Sequence, residues 1–206
     1  MKHGQSFKTM SITINGNGTI TGISVGGLPD GIVDTDMIAA NAVTAAKASG
    51  SVKGITEADQ WRLNTTLSNN GDNDITADWE RNDNEFEIIG TGLSESNGVF
   101  SFPSTGKYLI SFRGTGTGNG DRYIGVHFRM TTDGGSSYTY RGESYGSTYN
   151  SGSTTYTAYA FDTIVDVTST SNFKFAWRAS SSGTCNFLAN TNAQVTGFTC
   201  IKIGET

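Results

Sequence analysis

The chain has 206 residues, a formal net charge of −5, and 14 lysines and arginines against 19 acids. Bases this sparse and scattered do not neutralise a phosphate backbone, which excludes nucleic acid as a partner, and no run reaches the ~18 apolar residues of a membrane span. Glycine is 27 of 206 and charged residues are only 16%, yet aromatics make up 11%; short strands joined by polar turns fit this mixture better than helices or disorder.

The first residues, MKHGQSFKTMSITING, contain bases but no apolar stretch of the secretory type, so no export signal is visible. Ile12 and Ile14 then alternate with Ser11 and Thr13, and after Asn15-Gly16-Asn17-Gly18 comes Thr19-Ile20-Thr21, a small hairpin signal. Asp34 or Thr35 can cap a helix over 36–48, closed by Gly50. A second short helix is expected over TEADQWRL, with Thr56 as N-cap and Asp59 in capping-box position. This region is too poor in apolar mass to offset its own ordering entropy. It is therefore read as a segment, residues 1–71, that orders on copies of itself or on a host surface.

From 72 to 206 the pattern changes to strands. EFEIIG, GVFSFP and KYLISFRG follow one another. DRYIGVHFRM places Ile124, Val126, Phe128 and Met130 on one face, with Tyr123, His127 and Arg129 on the other. TAYAFDTIVDV aligns Tyr159, Phe161, Thr163, Val165 and Val167, and FKFAWRA aligns Phe173, Phe175 and Trp177. AQVTGFTCIKIG sets Val195, Thr199, Ile201 and Ile203 against Phe198 and Cys200. About eight or nine strands at short spacing predict an antiparallel β-sandwich, with the jelly roll as main candidate. NGVFSFPSTGKYLISFRG, Asn97 to Gly114, reads as a hairpin that turns at Pro103 and Gly106, because proline belongs at a strand end.

Few residues suggest catalysis. His127 lies mid-strand and reads as a strand histidine, and no triad can be placed around it. The glycines of GTGTGNG, Gly114 to Gly120, imitate a phosphate loop but lead into a strand and lack the following Lys-Ser/Thr, so they read as a flexible loop. Asp72, Asp74, Asp78, Asp83 and Glu85 cluster without the spacing of a calcium loop, and read as a solvated junction. Cys185 and Cys200 match no zinc or redox spacing; two buried thiols, or a disulfide, remain open. No cofactor and no metal is expected.

The segment from Tyr138 to Tyr159 holds six of the eight tyrosines, amid Ser, Gly and Asn. That mixture suits recognition loops, where tyrosine gives rigid amphipathic contact area, although tyrosines on strands also line wet faces or seams. The candidate recognition residues are Tyr138, Tyr140, Arg141, Glu143, Tyr145 and Tyr149. Apolar residues on both sheet faces, with Phe198 pointing away from Ile201 and Leu109 away from Ile110, would leave a single sandwich sticky. The candidate trimer contacts are Phe198 and Leu109, with Ile12, Ile14 and Ile20 from the N-terminal segment sharing a core around a three-fold axis.

Two resemblances sharpen this reading. Gly98, Phe100, Phe102, Pro103, Gly106, Tyr108 and Phe112, together with the closing strand TGFTCIKIG, resemble the tumour necrosis factor and complement-type globular heads over roughly residues 74–206. SITINGNGTITGISVGGLPDGIVDTDMIAANAVTAAKA resembles N-terminal regions of bacteriophage tail-fibre and other virion appendage proteins, through Asp36, Ala40, Asn41, Ala42, Val43, Thr44, Ala46 and Lys47. Together they imply a homotrimeric phage fibre, located in the virion and assembled in the host cytoplasm. The N-terminal segment would join other virion proteins, and a TNF-like jelly-roll knob would meet a host cell-surface glycan or protein. A capsid or tail decoration without a receptor is the alternative. An enzyme is not expected, because about 130 residues of sandwich leave little room for a depolymerase body, though fold alone does not settle function.

Overall fold

The computed structural model describes residues 13–14, 20–21, 54–84 and 86–206, and the chain divides into two compact units, Met1–Ala48 and Ser49–Thr206. In the first unit, β1 (Thr13–Ile14) pairs antiparallel with β2 (Ile20–Thr21), with Ile14 opposite Ile20. Ile12 and the helix expected over 36–48 lie outside the described residues.

In the second unit, every described element is a strand: β3 (Ala58–Leu63), β4 (Leu67–Asp74), β5 (Trp79–Arg81), β6 (Ser94–Ser96), β7 (Val99–Ser101), β8 (Gly106–Gly118), β9 (Ile124–Thr131), β10 (Thr139–Gly146), β11 (Thr155–Val167), β12 (Lys174–Phe187) and β13 (Gly197–Gly204). All pair antiparallel in two layers. One runs β11-β8-β13-β3-β5; in the other, β10, β9 and β12 lie side by side, with β4 and β7 sharing the far edge of β12. The layers meet where β12 reaches β8 at Asn186 and Phe187.

The helix expected over TEADQWRL is instead β3. Pairing with β13 from Gly197 to Ile201 overrides the helix propensity of Glu, Ala, Gln, Arg and Leu. The alternation is real but unusual, because Asp59, Trp61 and Leu63 are the inward set. Asp59 is tolerated there because Arg81 Nε (3.0 Å), Trp61 Nε1 (2.9 Å) and the Leu93 amide (2.8 Å) all donate to its carboxylate. The division expected at 71/72 accordingly falls inside β4, and the strand-rich unit begins upstream, at Ser49. Removing residues 1–53 should leave a folded head with a cooperative thermal transition by circular dichroism. Removing 1–70 should abolish that transition, since it takes Trp61 and Leu63 out of the core.

Pro103 does not turn a hairpin. β7 pairs with β12 and β6, whereas β8 pairs with β11 and β13, so Phe102 to Thr105 is a corner that carries the chain from one layer to the other. Gly106 makes the corner possible: its φ is +144°, and a Cβ there would lie 2.3 Å from Lys202 Cε.

The core is aromatic and lies between the layers. Phe112 packs on Trp177 (4.4 Å between ring centroids) and Phe198 on Phe100 (4.8 Å), each pair joining one layer to the other. Phe198 is therefore a core residue, 1% exposed, and not a trimer contact. The expected glycine loop is also corrected. Gly114, Gly116 and Gly118 lie within β8, and their two-residue spacing makes room for facing side chains. A Cβ at Gly114 would lie 2.4 Å from the Tyr159 ring, and one at Gly116 2.7 Å from Ile124 Cγ2. Gly114→Val should destabilise the head by about 1–3 kcal/mol through overpacking; an unchanged urea midpoint would show that the ring moves aside freely. Cys185 and Cys200 are separate buried thiols.

Candidate functional site

The outer face of the β4-β12-β9-β10 layer is laid out by register. One row across it reads Asp74, Arg178, His127, Glu143; the next reads Asp72, Ser180, Gly125, Tyr145. Tyr140 stands opposite Arg129 on the other side of the first row. A bulge between Tyr140 and Gly142 inserts Arg141, and without that extra residue Tyr140 and Glu143 would face opposite ways. Gly142 then turns inward, where a Cβ would strike the Phe161 ring at 2.3 Å.

His127 organises this face. Its ring stands nearly perpendicular to those of Tyr140 (5.0 Å, 86°) and Tyr145 (5.7 Å, 85°). Its Nε2 is hydrogen-bonded to the Tyr145 hydroxyl and lies 3.8 Å from Glu143 Oε2. Tyr123 packs edge-on against Tyr145 at 5.4 Å. Beside them Asp74 accepts two bonds from Arg129 Nη1 (2.6 and 2.7 Å) and one from Arg178 Nε (2.7 Å), while Ser180 donates to Asp72. Arg129 also lies over the Tyr138 ring, 5.6 Å from its centroid.

The electrostatics follow from these contacts. Partial burial, aided by Arg178 and Arg129, holds the His127 imidazole below its ordinary value despite Asp72 and Glu143. Burial and the neighbouring Glu143 carboxylate push the Tyr145 hydroxyl up to about 12 and also raise that of Tyr140. Asp74 is lowered: burial works against this, but the bonds from Arg178 and Arg129 outweigh it. A histidine depressed in the folded state contributes stability that is full above its unfolded value and is lost as pH falls through its folded one. Stability should therefore fall as the pH drops below the ordinary imidazole value of 6.5, and His127→Gln should flatten that slope. Equal slopes in thermal melts would show that another group dominates.

The structure brings together Tyr140, Glu143 and Tyr145, with Tyr138 alongside. Two of the expected residues go elsewhere. Arg141, being the bulged residue, lines a cavity of about 310 Å³ with Thr163, Ile164 and Asp166. Tyr149 lies beyond β10, 77% exposed, and accepts at its carbonyl a bond from Thr155 Oγ1 (3.0 Å). His127, Arg129, Arg178 and Asp74 were missed as members. Alternation placed His127 and Arg129 on a polar strand face, but nothing local says which faces adjoin. Of the clustered acids, Asp83 pairs with Arg62 (2.6 Å), and Glu85 lies outside the described residues.

The second layer has a different outer face. Ile164, Leu109, Ile201 and Ala58 stand opposite one another across β11, β8, β13 and β3, and Ala58 is bridged to Ile89. Ile164 is 62% exposed and Ile89 44%.

Among solved structures, Eiger TNF from S. frugiperda aligns with a TM-score of 0.56 at 11% identity, over 72% of this chain and 93% of that one. Murine APRIL at pH 5.0 aligns with a TM-score of 0.52 at 11% identity, over 71% and 99%. The chain thus has the TNF-like jelly-roll fold. No protein-family model matches the sequence, and no curated protein matches it.

Proposed function

We propose that the chain is a homotrimeric fibre or appendage protein of a bacteriophage virion, with the N-terminal segment joining the particle and the TNF-like head contacting the host surface. The observation that carries this reading is a division of labour among exposed large hydrophobics. Among the described residues they are four isoleucines (Ile55, Ile89, Ile164, Ile203) and four tyrosines (Tyr140, Tyr145, Tyr149, Tyr156), of which Tyr156 shares the outer face of β11 with Ile164. Ile164 and Ile89 lie in one row across the β11-β8-β13-β3 layer, with half-buried Leu109 and Ile201 between them; such a row is a self-association face. Tyr140 and Tyr145 lie on the opposite layer beside His127, where they are free to meet something else. Three copies on one axis would multiply a weak site into useful avidity. The virion assignment is supported by the N-terminal motif around Asn41-Ala42-Val43-Thr44.

Light scattering on the purified chain should return three times the 21.8 kDa chain mass. Fluorescently labelled protein should bind host cells and not only phage particles. A stable single-chain species would overturn the trimer, and binding to particles alone would assign a decoration role.

A further inference from the structure

We propose that the Tyr140–His127–Tyr145 face binds a saccharide bearing a free, protonated amine. The inference rests on the host-recognition reading and names the chemistry of its ligand.

The first argument is the sign of the local charge. The face holds three carboxylates, Asp72, Asp74 and Glu143, and the guanidinium groups of Arg129 and Arg178. Both guanidinium groups are bonded to Asp74. Asp74 offsets only one of the two guanidinium charges, so among the described residues three carboxylates stand against two guanidiniums and the face carries a net charge of −1 with His127 neutral. An anionic ligand meets guanidiniums already bonded to Asp74 and a net negative charge, which disfavours it.

The second argument is the aromatic arrangement. Tyr140 and Tyr145 flank His127 at right angles, and Glu143 stands directly opposite His127 in the register. Ring faces beside a carboxylate attract an ammonium group. Mutual edge contacts and the His127–Tyr145 bond hold the rings in place, so little ordering cost remains on binding.

The third argument selects a sugar over a lysine side chain. Tyr140 and Tyr145 are 46% and 41% exposed, so the site is an open shelf. A lone alkylammonium on a shelf keeps most of its water and gains little. A pyranose can lay its C–H face on a tyrosine, present its amine to Glu143 and direct hydroxyls toward the exposed Asp72 carboxylate, making several weak contacts at once.

The test is an NMR titration of the isotope-labelled full-length protein at pH 7 with glucosamine, N-acetylglucosamine, glucose and lysine methyl ester. Glucosamine should shift the His127, Tyr140 and Tyr145 resonances, with the acetylated and unsubstituted sugars at least about fivefold weaker. Glu143→Gln, an exposed and fold-neutral change, should erase that preference. Equal binding of the three sugars, no glucosamine binding, or stronger binding of the lysine ester would each overturn the proposal. Cell labelling run in parallel separates the two readings. Labelling that Tyr140→Ala and Tyr145→Ala abolish, without glucosamine binding, leaves host recognition intact and removes the amine. Glucosamine binding without labelling does the reverse.

Discussion

Phe198→Ala should cost about 3–5 kcal/mol of head stability, a large share of the 5–15 kcal/mol typical of a domain. The ring lies between the layers, with Phe100 at 4.8 Å, Phe175 at 5.5 Å, and Trp79 and Trp177 both at 5.6 Å. Removing it opens a cavity that none of these rigid rings can refill, so the transfer loss and the cavity loss add. Chemical denaturation at two protein concentrations checks the assignment. A core residue loses the same stability at both, whereas a residue acting only between chains would show a loss that shrinks on dilution, as the wild type dissociates too. A loss below about 1 kcal/mol would remove Phe198 from the core.

Leu109→Asp and Ile164→Asp should reduce the proposed trimer to single chains. Within one chain Ile164 is 62% exposed, so aspartate there should change head stability by no more than about 0.5 kcal/mol. In an assembly that buries the Ile164–Leu109–Ile201 row, the same change places an unpaired carboxylate in an apolar seam on every subunit. Burying such a charge costs several kcal/mol per site, enough to dissociate a complex held by this face. Light scattering should fall to one-third of the wild-type mass while the circular dichroism spectrum is unchanged. A mass unaffected by both substitutions would place the association face elsewhere.

Much of the fold was legible because alternation is local. Ile124, Val126, Phe128 and Met130 share a face in the sequence and are all buried in the structure. Phe100, Phe102, Tyr108, Ile110 and Phe112 behave the same way. The Tyr140–His127–Tyr145 face was half legible. Tyrosine density pointed to Tyr140, Glu143 and Tyr145, but one bulge sends Arg141 to another cavity, and bulges leave no strong trace in composition. His127 passed as an ordinary strand histidine because its partners lie on β10, 13 to 18 residues away, and its surroundings exist only once the two strands are in register.

By itself the sequence determined the strand-rich class, the spacing of most strands and which residues of each strand belong together, since a two-residue repeat is set by neighbours along the chain. Tertiary structure decided the rest: that residues 58–63 extend and do not coil, that Pro103 turns a corner between layers, that Phe198 faces inward, and that Asp74 gathers Arg129 and Arg178. Each of these depends on a partner many residues distant, and the free energy of that pairing exceeds the few tenths of a kcal/mol by which local propensity distinguishes one conformation from another.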